Sequence, residues 1–426
     1  MSESFHACDI AIIGAGPAGL AAATSAAAQG KSVLVFDESP WLGGQIWRGV
    51  ESKGKPSSAH AAILRARSSG ARFLHETTVI DFPAPNLLRA EGPGGPSCVS
   101  WGKLILATGA RELFLPFPGW TLPGVFGVGG LQALAKAGWP VQDKRVVIAG
   151  TGPLLLAVAD GLRALGAQVV CIAEQAPWKR VRAFGATLLS EPSKLAQALG
   201  LMARLRGVPH RCGWWPARAE GQESVARVVL TNGNDTVTHE CDYLACAFGL
   251  VPNIELATLL GCRIENGFVA VDRSQQTSMP DVYCAGEPTG IGGYECAAVE
   301  GEIAGLVAAG ATHRAERLCG RRGRAHAFRE RLRNAFAIEA PITKLAERDT
   351  IVCRCEDVPH GTLRHYSDWR EAKLHTRCGM GPCQGRVCGA AAQVLYGWSL
   401  ESVRPPVAPA RIGSLVCLPP LVENPS

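Results

Sequence analysis

The stretch CDIAIIGAGPAGLAAATSAAAQGKSVLVFDE, residues 8–38, decides the fold. It predicts a strand CDIAIIGA, a helix that begins at Pro17 and ends near Gly30, and a second strand KSVLVFDE. Such a βαβ unit builds a parallel sheet. Between the first strand and the helix lies a complete GxGxxG, Gly14 to Gly19. Gly14 permits the sharp turn, and Gly16 lets the backbone approach a pyrophosphate at the helix N-terminus.

The end of the second strand completes a dinucleotide site. Asp37 lies where a carboxylate accepts hydrogen bonds from ribose hydroxyls, and Glu38 is the neighbouring candidate. A GxGxxG alone is weak evidence, but its place inside a whole βαβ unit makes a bare glycine turn the poorer interpretation. We therefore predict that Gly14, Ala15, Gly16, Pro17 and Ala18 bind a dinucleotide.

A second unit of the same kind begins at Lys144, with the strand KRVVIAG, the helix PLLLAVADGLRALG and the strand AQVVCIAE. Its loop starts at Gly150, but Leu155 stands where the third glycine is expected, and Glu174 closes the last strand. A bulky residue at that point weakens the approach of a pyrophosphate to the loop. We expect a degenerate NAD(P)-like site, either vestigial or repurposed.

The fold class that follows is α/β, with two Rossmann-like dinucleotide-binding domains and a small C-terminal cysteine domain. The apolar strands in WGKLILATGA and DVYCAGE return the chain to the first domain. We predict an FAD-binding domain at 1–112 and 247–312, an inserted NAD(P)-binding-like domain at 113–246, a basic linker at 313–348, a [2Fe–2S] domain at 349–400 and a Pro-rich tail at 401–426.

Composition excludes several classes of protein. The 426 residues include 49 glycines and carry a net charge of +6. Eight arginines fall between His313 and Arg333, which leaves the remainder balanced and disfavours a general nucleic-acid surface. The charge-free run near the N-terminus is explained by the glycine loop, so we expect no integral membrane segment. Without a visible secretory signal, a cytoplasmic location is expected.

The strongest cluster of metal-ligating residues is C-terminal. Five of the 16 cysteines lie between Cys353 and Cys388, as CRC followed by CGMGPCQGRVC. Cys353 and Cys355 alternate along an extended segment, and a C-x4-C pair can hold a second iron of a [2Fe–2S] cluster. Spacing does not choose between Cys378/Cys383 and Cys383/Cys388 as that pair. A structural zinc site is the alternative.

Later segments resemble the flavoproteins with two dinucleotide-binding domains, the group of thioredoxin and glutathione reductases. That resemblance implies FAD, with Gly44 and Gln45 along the flavin, Thr108 and Gly109 at the return to the FAD domain, and Gly286 and Glu287 near the ribityl chain and pyrophosphate. Glu287 departs from the Gly-Asp pair of that group. We also predict that Val79 contributes to cofactor binding. The sequence contains no CxxC, which disfavours dithiol chemistry.

Residues 107–134, 148–159 and 249–262, with the cysteine segment, resemble the α (A) subunit of heteromeric amino-acid and amine dehydrogenases, a family that includes opine oxidases, D-hydroxyproline dehydrogenase and hydrogen cyanide synthase. The cysteine pattern is similar to bacterioferritin-associated-ferredoxin domains. This resemblance selects Cys353, Cys355, Cys383 and Cys388 as the four cluster ligands. It leaves Cys378 as an extra thiol. It also implies a β subunit that holds its own FAD and oxidises the substrate, and an FMN at the subunit boundary.

The resulting hypothesis is an FAD- and [2Fe–2S]-containing electron-transfer subunit without a catalytic substrate residue of its own. Two alternatives stay open from the residues. One is a self-sufficient NAD(P)H-dependent reductase that passes electrons to the cluster. The other is a scaffold subunit that holds a nucleotide such as ADP or ATP in the first loop. The substrate and the electron acceptor are not specified by the sequence.

Overall fold

A computed structural model describes residues 4–50, 57–399 and 403–416. The first part of the chain forms β1 (Ser4–Ile13), α1 (Pro17–Ala27), β2 (Val33–Phe36), α2 (Ser58–Arg67), β3 (Arg72–Leu74), β4 (Thr78–Ala84), β5 (Leu87–Gly92), β6 (Gly95–Leu106), β7 (Ala110–Glu112), β8 (Val125–Gly127) and α3 (Val128–Lys136). The middle part forms β9 (Arg145–Gly150), α4 (Leu154–Arg163), β10 (Gln168–Glu174), α5 (Trp178–Thr187), α6 (Pro192–Arg204), β11 (His210–Cys212), β12 (Trp215–Gly221), β13 (Val225–Thr231), β14 (Thr236–Glu240), β15 (Tyr243–Ala247) and β16 (Leu250–Pro252).

The remaining elements are α7 (Glu255–Leu259), β17 (Ile264–Glu265), β18 (Phe268–Val269), β19 (Val282–Cys284), α8 (Tyr294–Ala308), α9 (Thr312–Glu316), α10 (Cys319–Ala335), β20 (Ile351–Cys353), β21 (Val358–Pro359), α11 (His360–Leu363), α12 (Trp369–Thr376), α13 (Cys388–Tyr396) and α14 (Ile412–Leu415). Short 3-10 turns occur at Leu188–Ser190, Glu287–Thr289 and Ile342–Lys344.

The chain divides into two compact units. The first comprises residues 1–111, 252–330 and 401–426, and the second comprises residues 112–251 and 331–400. The boundary at residues 330–331 falls within α10, and the cysteine segment belongs to the second unit. The five-part division made from the sequence stays a prediction.

The first unit is built on a seven-stranded sheet in which six strands follow the order β3-β2-β1-β6-β5-β4 and the seventh, β19, pairs with β6. Strands β3, β2, β1 and β6 are parallel, whereas β4 and β5 form an antiparallel extension. β6 is long enough to pair with β5 along its first half and with β19 through Leu104–Leu106. The carboxyl ends of β1, β6 and β19 therefore meet at one edge, where α1 and α8 begin.

Small residues let α8 pack directly on α1. A Cβ added at Gly301 would lie 2.0 Å from the backbone oxygen of Ala18, and one added at Gly305 would lie 2.3 Å from that of Ala22. The alanine-rich face of α1 is buried in the same core, with Ala22 and Ala23 fully covered. The glycines of α8 and the alanines of α1 therefore allow the two helices to pack closely.

The second unit contains a five-stranded parallel sheet in the order β11-β10-β9-β15-β8. A separate antiparallel sheet, β12-β13-β14, follows β11 in the chain. The predicted strands around Gly150 and Glu174 are present as β9 and β10, and the helix between them is α4. The predicted α/β class with two Rossmann-like folds is confirmed.

The C-terminal part of the second unit is a small module. The antiparallel pair β20-β21 and the helices α11, α12 and α13 enclose a core that contains Cys353, Cys378 and Cys388. Trp120 Nε1 donates to the backbone oxygen of Ile351 at 2.6 Å, and Ile342 and Ala391 are buried in the main core of the unit. The module is thus joined to the second unit by buried contacts.

The structure also describes the arginine-rich stretch and part of the Pro-rich tail. The arginine-rich stretch is helical, as α9 and α10. In the tail, the Val407 amide donates to Ile80 at 2.9 Å, and Glu91 accepts from Ser414 Oγ at 2.6 Å. The rest of the predicted tail, 401–402 and 417–426, lies outside the described residues.

Among the helices of the described ranges, none combines the length and apolarity that crossing a bilayer requires.

Candidate functional site

The first glycine loop, residues 14–19, has one crowded side and one open side. A Cβ at Gly14 would lie 2.2 Å from the Ala107 oxygen, and one at Gly19 would lie 1.8 Å from the Gly14 oxygen. A Cβ at Gly16 would meet no atom within 4 Å. Gly16 is also the N-cap of α1, and no side chain caps that helix. The loop therefore leaves a cradle at a positive helix end, which fits a pyrophosphate.

Asp37 lies beside this loop. Its Oδ2 accepts from the Ala15 amide at 2.5 Å and its Oδ1 from the Ser39 amide at 2.8 Å. A carboxylate has about four lone-pair positions, so each oxygen keeps capacity for a ribose hydroxyl. Glu38 is exposed next to it. The structure thus brings Asp37 to the glycine loop, as the spacing requires.

The other predicted cofactor positions do not all lie in the same kind of environment. A Cβ at Gly44 would lie 3.1 Å from the Gly16 Cα, so the Gly44–Gln45 turn borders the cradle. Thr108 Oγ1 donates to the Asn253 oxygen at 2.6 Å, and the Asn253 amide donates to the Gly109 oxygen at 3.0 Å. The Val79 side chain, by contrast, is buried in an apolar core cluster. Asn253 was missed because nothing in the sequence pairs it with residues 145 positions earlier.

Glu287 holds the N-terminus of α8. Its carboxylate accepts from the amides of Gly292 and Gly293, each at 3.0 Å. Burial raises the pKa of this carboxyl to about 7, although the two amides act in the opposite direction. The longer side chain of glutamate, the departure from Gly-Asp noted in the sequence, is thereby directed to the helix end.

Glu300 is a buried carboxylate that sequence reasoning did not identify. Its Oε2 accepts from the Gly286 amide at 2.8 Å and from Thr289 Oγ1 at 2.9 Å, while Oε1 lies 2.7 Å from His326 Nε2. The Arg329 guanidinium lies 3.6 Å away. Glu300 is only 1% exposed, so it fixes the Gly286 turn from beneath. The signal available was a glutamate within the apolar stretch of α8.

The second glycine loop, residues 150–155, differs in detail. Glu174 Oε2 accepts from the Gly152 amide at 2.7 Å and Oε1 from the Ala176 amide at 2.8 Å. Burial raises the pKa of Glu174 to about 7. Leu155 is 1% exposed and packs in the apolar core under α4. In this loop the Glu174 carboxylate therefore accepts a hydrogen bond from the amide of the second glycine, Gly152. The equivalent glycine of the first loop is Gly16, which faces the open cradle.

The five clustered cysteines come together in two groups. The Sγ atoms of Cys353, Cys378 and Cys388 lie within 4.8 Å of one another and are buried. Cys355, which is exposed, forms a hydrogen bond with the half-buried Cys383. Cys353 therefore lies with Cys378 and Cys388, and Cys355 lies with Cys383. The structure also places Cys378, assigned as the extra thiol, among the buried sulfurs.

The environment of Cys353 favours the thiolate. Hydrogen bonds from the Cys378 and Cys388 thiols, with backbone amides of Gly379 and Glu356, lower the pKa of Cys353 to about 2. A thiolate is the form that ligates iron or zinc. Gly379 and Gly385 have φ near +80°, which turns the chain tightly around the sulfurs. The donor set therefore fits a sulfur-ligated metal centre.

This chain is similar to several known proteins. The sequence pattern of the pyridine nucleotide-disulphide oxidoreductase family matches residues 8–309. Hydrogen cyanide synthase subunit HcnB of Pseudomonas aeruginosa is 31% identical, over 88% of this chain and 90% of that protein. The A subunit of opine oxidase from Rhizobium meliloti is 32% identical, over 96% of this chain and 98% of that protein. These similarities confirm the resemblance that the motifs predicted.

Solved structures share the fold. L-proline dehydrogenase from P. horikoshii has a TM-score of 0.67 at 21% identity, covering 98% of this chain and 81% of that chain. Thioredoxin reductase of T. acidophilum has a TM-score of 0.57 at 21% identity, covering 72% of this chain and 98% of that one. The second comparison matches the predicted disulphide-reductase type of the two Rossmann-like domains.

Proposed function

We propose that this chain, which belongs to the pyridine nucleotide-disulphide oxidoreductase family and is a flavin-dependent oxidoreductase, is the electron-transfer subunit of a heteromeric amino-acid or imino-acid dehydrogenase. The observation that carries the proposal is the coexistence, in one chain, of an open dinucleotide cradle at Gly16 and a segment with five cysteines, three of which bring their sulfurs within 4.8 Å of one another. A flavin and a sulfur-ligated iron centre are the pair of cofactors that converts two-electron into one-electron transfer.

The first loop is the proposed FAD site. FAD, when bound, accepts a pair of electrons and releases them singly. The amides at the start of α1 bind the pyrophosphate, and Asp37, with Glu38 beside it, accepts from the ribose. The remaining positions surround the flavin half: Gly44, Gln45, Thr108, Gly109, Gly286 and Glu287. Glu300 and Asn253 support this site through hydrogen bonds to the turns at Gly286 and Thr108.

The cysteine module is the proposed site of the [2Fe–2S] cluster. Two irons need two pairs of thiolates. The contacts place Cys353 with Cys378 and Cys388 and place Cys355 beside Cys383, and the family resemblance takes Cys353, Cys355, Cys383 and Cys388 as the four ligands. Cys378 then remains a thiol that donates to the sulfur of Cys353. A cluster carries one electron at a time, so the module is suited to pass electrons onward.

Substrate oxidation is proposed to lie in a partner chain. The relatives are named as single subunits, one of opine oxidase and one of hydrogen cyanide synthase. By analogy, the partner is a β subunit with its own FAD, and an FMN at the boundary is the further cofactor of this arrangement. An opine-, hydroxyproline- or glycine-type substrate and a cytoplasmic location complete the proposal, with the acceptor unspecified.

Cofactor content tests this proposal. The full chain, co-expressed with its partner, is expected to show flavin absorption and two irons per chain, and Cys388→Ser is expected to lose the iron while it keeps the flavin. Cys378→Ser should retain iron, and Cys319→Ser, which alters an exposed cysteine on α10, is the matched control. Zinc in place of iron, or a colourless nucleotide in place of flavin, contradicts the proposal.

A further inference from the structure

A short segment of the chain, residues 336–339, lies across the carboxyl ends of β9 and β10 in the second unit. Thr151 Oγ1, in the glycine loop, donates to the Phe336 oxygen at 3.1 Å. Gln175, directly after β10, donates through Nε2 to the Ala337 oxygen at 2.8 Å and accepts through Oε1 from the Glu339 amide at 2.9 Å. One glutamine side chain therefore pairs with the backbone of the segment in both directions.

Side-chain contacts reinforce this attachment. Arg180, on α5, forms an ion pair with Glu339. The rings of Phe184 and Phe336 pack edge to face with centroids 5.1 Å apart. Gln175 is 1% exposed and Thr151 is 8% exposed. The polar groups that pair with the segment are thus buried, and without the segment Gln175 keeps only its 2.9 Å hydrogen bond from Nε2 to Thr151 Oγ1.

The position of the segment is the one that a nucleotide takes in this fold. In open α/β sheets, ligands bind in the crevice outside the carboxyl ends of the strands, and the ribose lies beside the acidic end of the second strand. Here that end is Glu174, whose carboxylate accepts from the Gly152 amide, the group that a pyrophosphate approaches in such a loop. A dinucleotide must displace both the segment and this carboxylate.

We infer that the second glycine loop is an internal docking site for residues 336–339 and excludes nicotinamide dinucleotides. The segment leads directly to the cysteine module, whose start is held by Trp120 through the Ile351 oxygen. The former nucleotide crevice therefore fixes the linker at one end, and Trp120 fixes it at the other. On the proposed function, which this last step requires, the docked linker holds the iron–sulfur module at a constant position for electron transfer.

Amide hydrogen exchange of the full chain tests the docking. Gln175→Ala removes both hydrogen bonds to the segment and is expected to speed exchange at residues 337–339 about tenfold. Gln168→Ala, an exposed glutamine at the other end of β10, is the matched control and should leave exchange unchanged. Arg180→Ala against Arg182→Ala, both on α5, repeats the test in case Gln175→Ala fails to fold.

NADH and NADPH are the probes for exclusion. Neither is expected to slow exchange in the glycine loop or at residues 336–339 of the unaltered chain. Protection by either dinucleotide overturns the inference, as does equal exchange in Gln175→Ala and Gln168→Ala, or in the arginine pair if that is the one that folds. Flavin and iron are measured in the same samples: their absence contradicts the proposed function, whereas the exchange pattern decides the docking independently.

Discussion

The two glycine loops of this chain have nearly the same sequence beginning, and a Cβ added at Gly16 or at Gly152 would meet no atom within 4 Å, but the hydrogen bonds of the loops and the starts of their helices differ. In the first, Gly16 faces open space and α1 starts at once, with a 2.9 Å bond from the Leu20 amide to the Gly16 oxygen. In the second, the helix starts one residue later: the Gly152 oxygen accepts from the Leu155 amide at 3.1 Å, and the first-turn bond from the Ala157 amide to the Pro153 oxygen is 3.4 Å long. A glycine loop of this type can therefore leave its crevice open to a ligand, or the crevice can be occupied by another segment of the same chain.

Two side chains explain the difference. Asp37 reaches only the first amide of its loop, at Ala15, whereas the longer Glu174 reaches the amide of Gly152. Gly19 allows helix and strand to touch, whereas Leu155 fills that space with a buried side chain. The comparison teaches that the acidic residue and the third glycine decide whether a glycine loop remains a nucleotide site.

The largest expected effect comes from placing a side chain in each loop. Gly16→Val adds atoms where nothing lies within 4 Å, so the fold persists but the pyrophosphate cradle is filled, and flavin affinity should fall at least about tenfold. Gly152→Ala, at φ +96°, should cost about 1–2 kcal/mol of stability and leave the flavin content unchanged. Gly185→Val is the control. If Gly16→Val and Gly152→Ala lost flavin to the same extent, the two loops would not differ in their role in cofactor binding.

The third loop position is expected to affect the stability of the second unit and not the flavin. Leu155→Ala removes a fully buried side chain from the core under α4, so the free energy of unfolding of the second unit should fall by about 2–5 kcal/mol. Leu154→Ala, one residue earlier and 39% exposed, should change it by about 0.5 kcal/mol. Denaturant unfolding measures both. If Leu155→Ala gained NADH binding instead, Leu155 would be a gate and not a packing residue.

The smallest expected effect is a pH dependence. Burial raises the pKa of Glu174 to about 7 in the folded chain, whereas its ordinary value is 4.5. The folded state therefore keeps a proton that the unfolded chain releases, and stability decreases as pH rises from about 4.5 to 7, by at most about 3 kcal/mol for this group. Glu174→Gln should flatten this slope in thermal unfolding. The exposed Glu223→Gln should not.

Interpretation of that slope needs one comparison. Glu287 in the first unit also has a pKa raised to about 7 by burial, so the unaltered protein carries both contributions. The difference between the unaltered protein and Glu174→Gln isolates the second loop. A slope that is identical in the two proteins would show that the Glu174 carboxyl is not buried in the protonated form.

Much of the fold could be predicted because it is local. The strands and helices around Gly16 and Gly152 follow from hydrophobic runs bounded by glycine turns, and both βαβ units are present in the structure. The two acidic strand ends were also identified. What spacing could not show is that Glu174 reaches one amide further than Asp37, since side-chain length acts only once the strand and loop are in place.

The contacts that were missed are long-range. Gln175 and Glu339 are 164 residues apart, and Glu300 meets His326 on a helix identified only as a basic segment. No periodicity connects such positions, because they are brought together by tertiary packing. The cysteine spacing likewise indicated ligand residues, but it could not show that Cys353 lies with both Cys378 and Cys388, since that grouping depends on the tertiary fold.

Anaerobic reduction of the co-expressed complex tests the central claim most directly. With the partner subunit present, an amino- or imino-acid substrate should bleach the flavin of this chain and then produce the electron paramagnetic resonance signal of a reduced [2Fe–2S] cluster, while NADH and NADPH should do neither. Rapid bleaching by NADH or NADPH in the absence of substrate would contradict the account, because the second loop would then be a working nucleotide site.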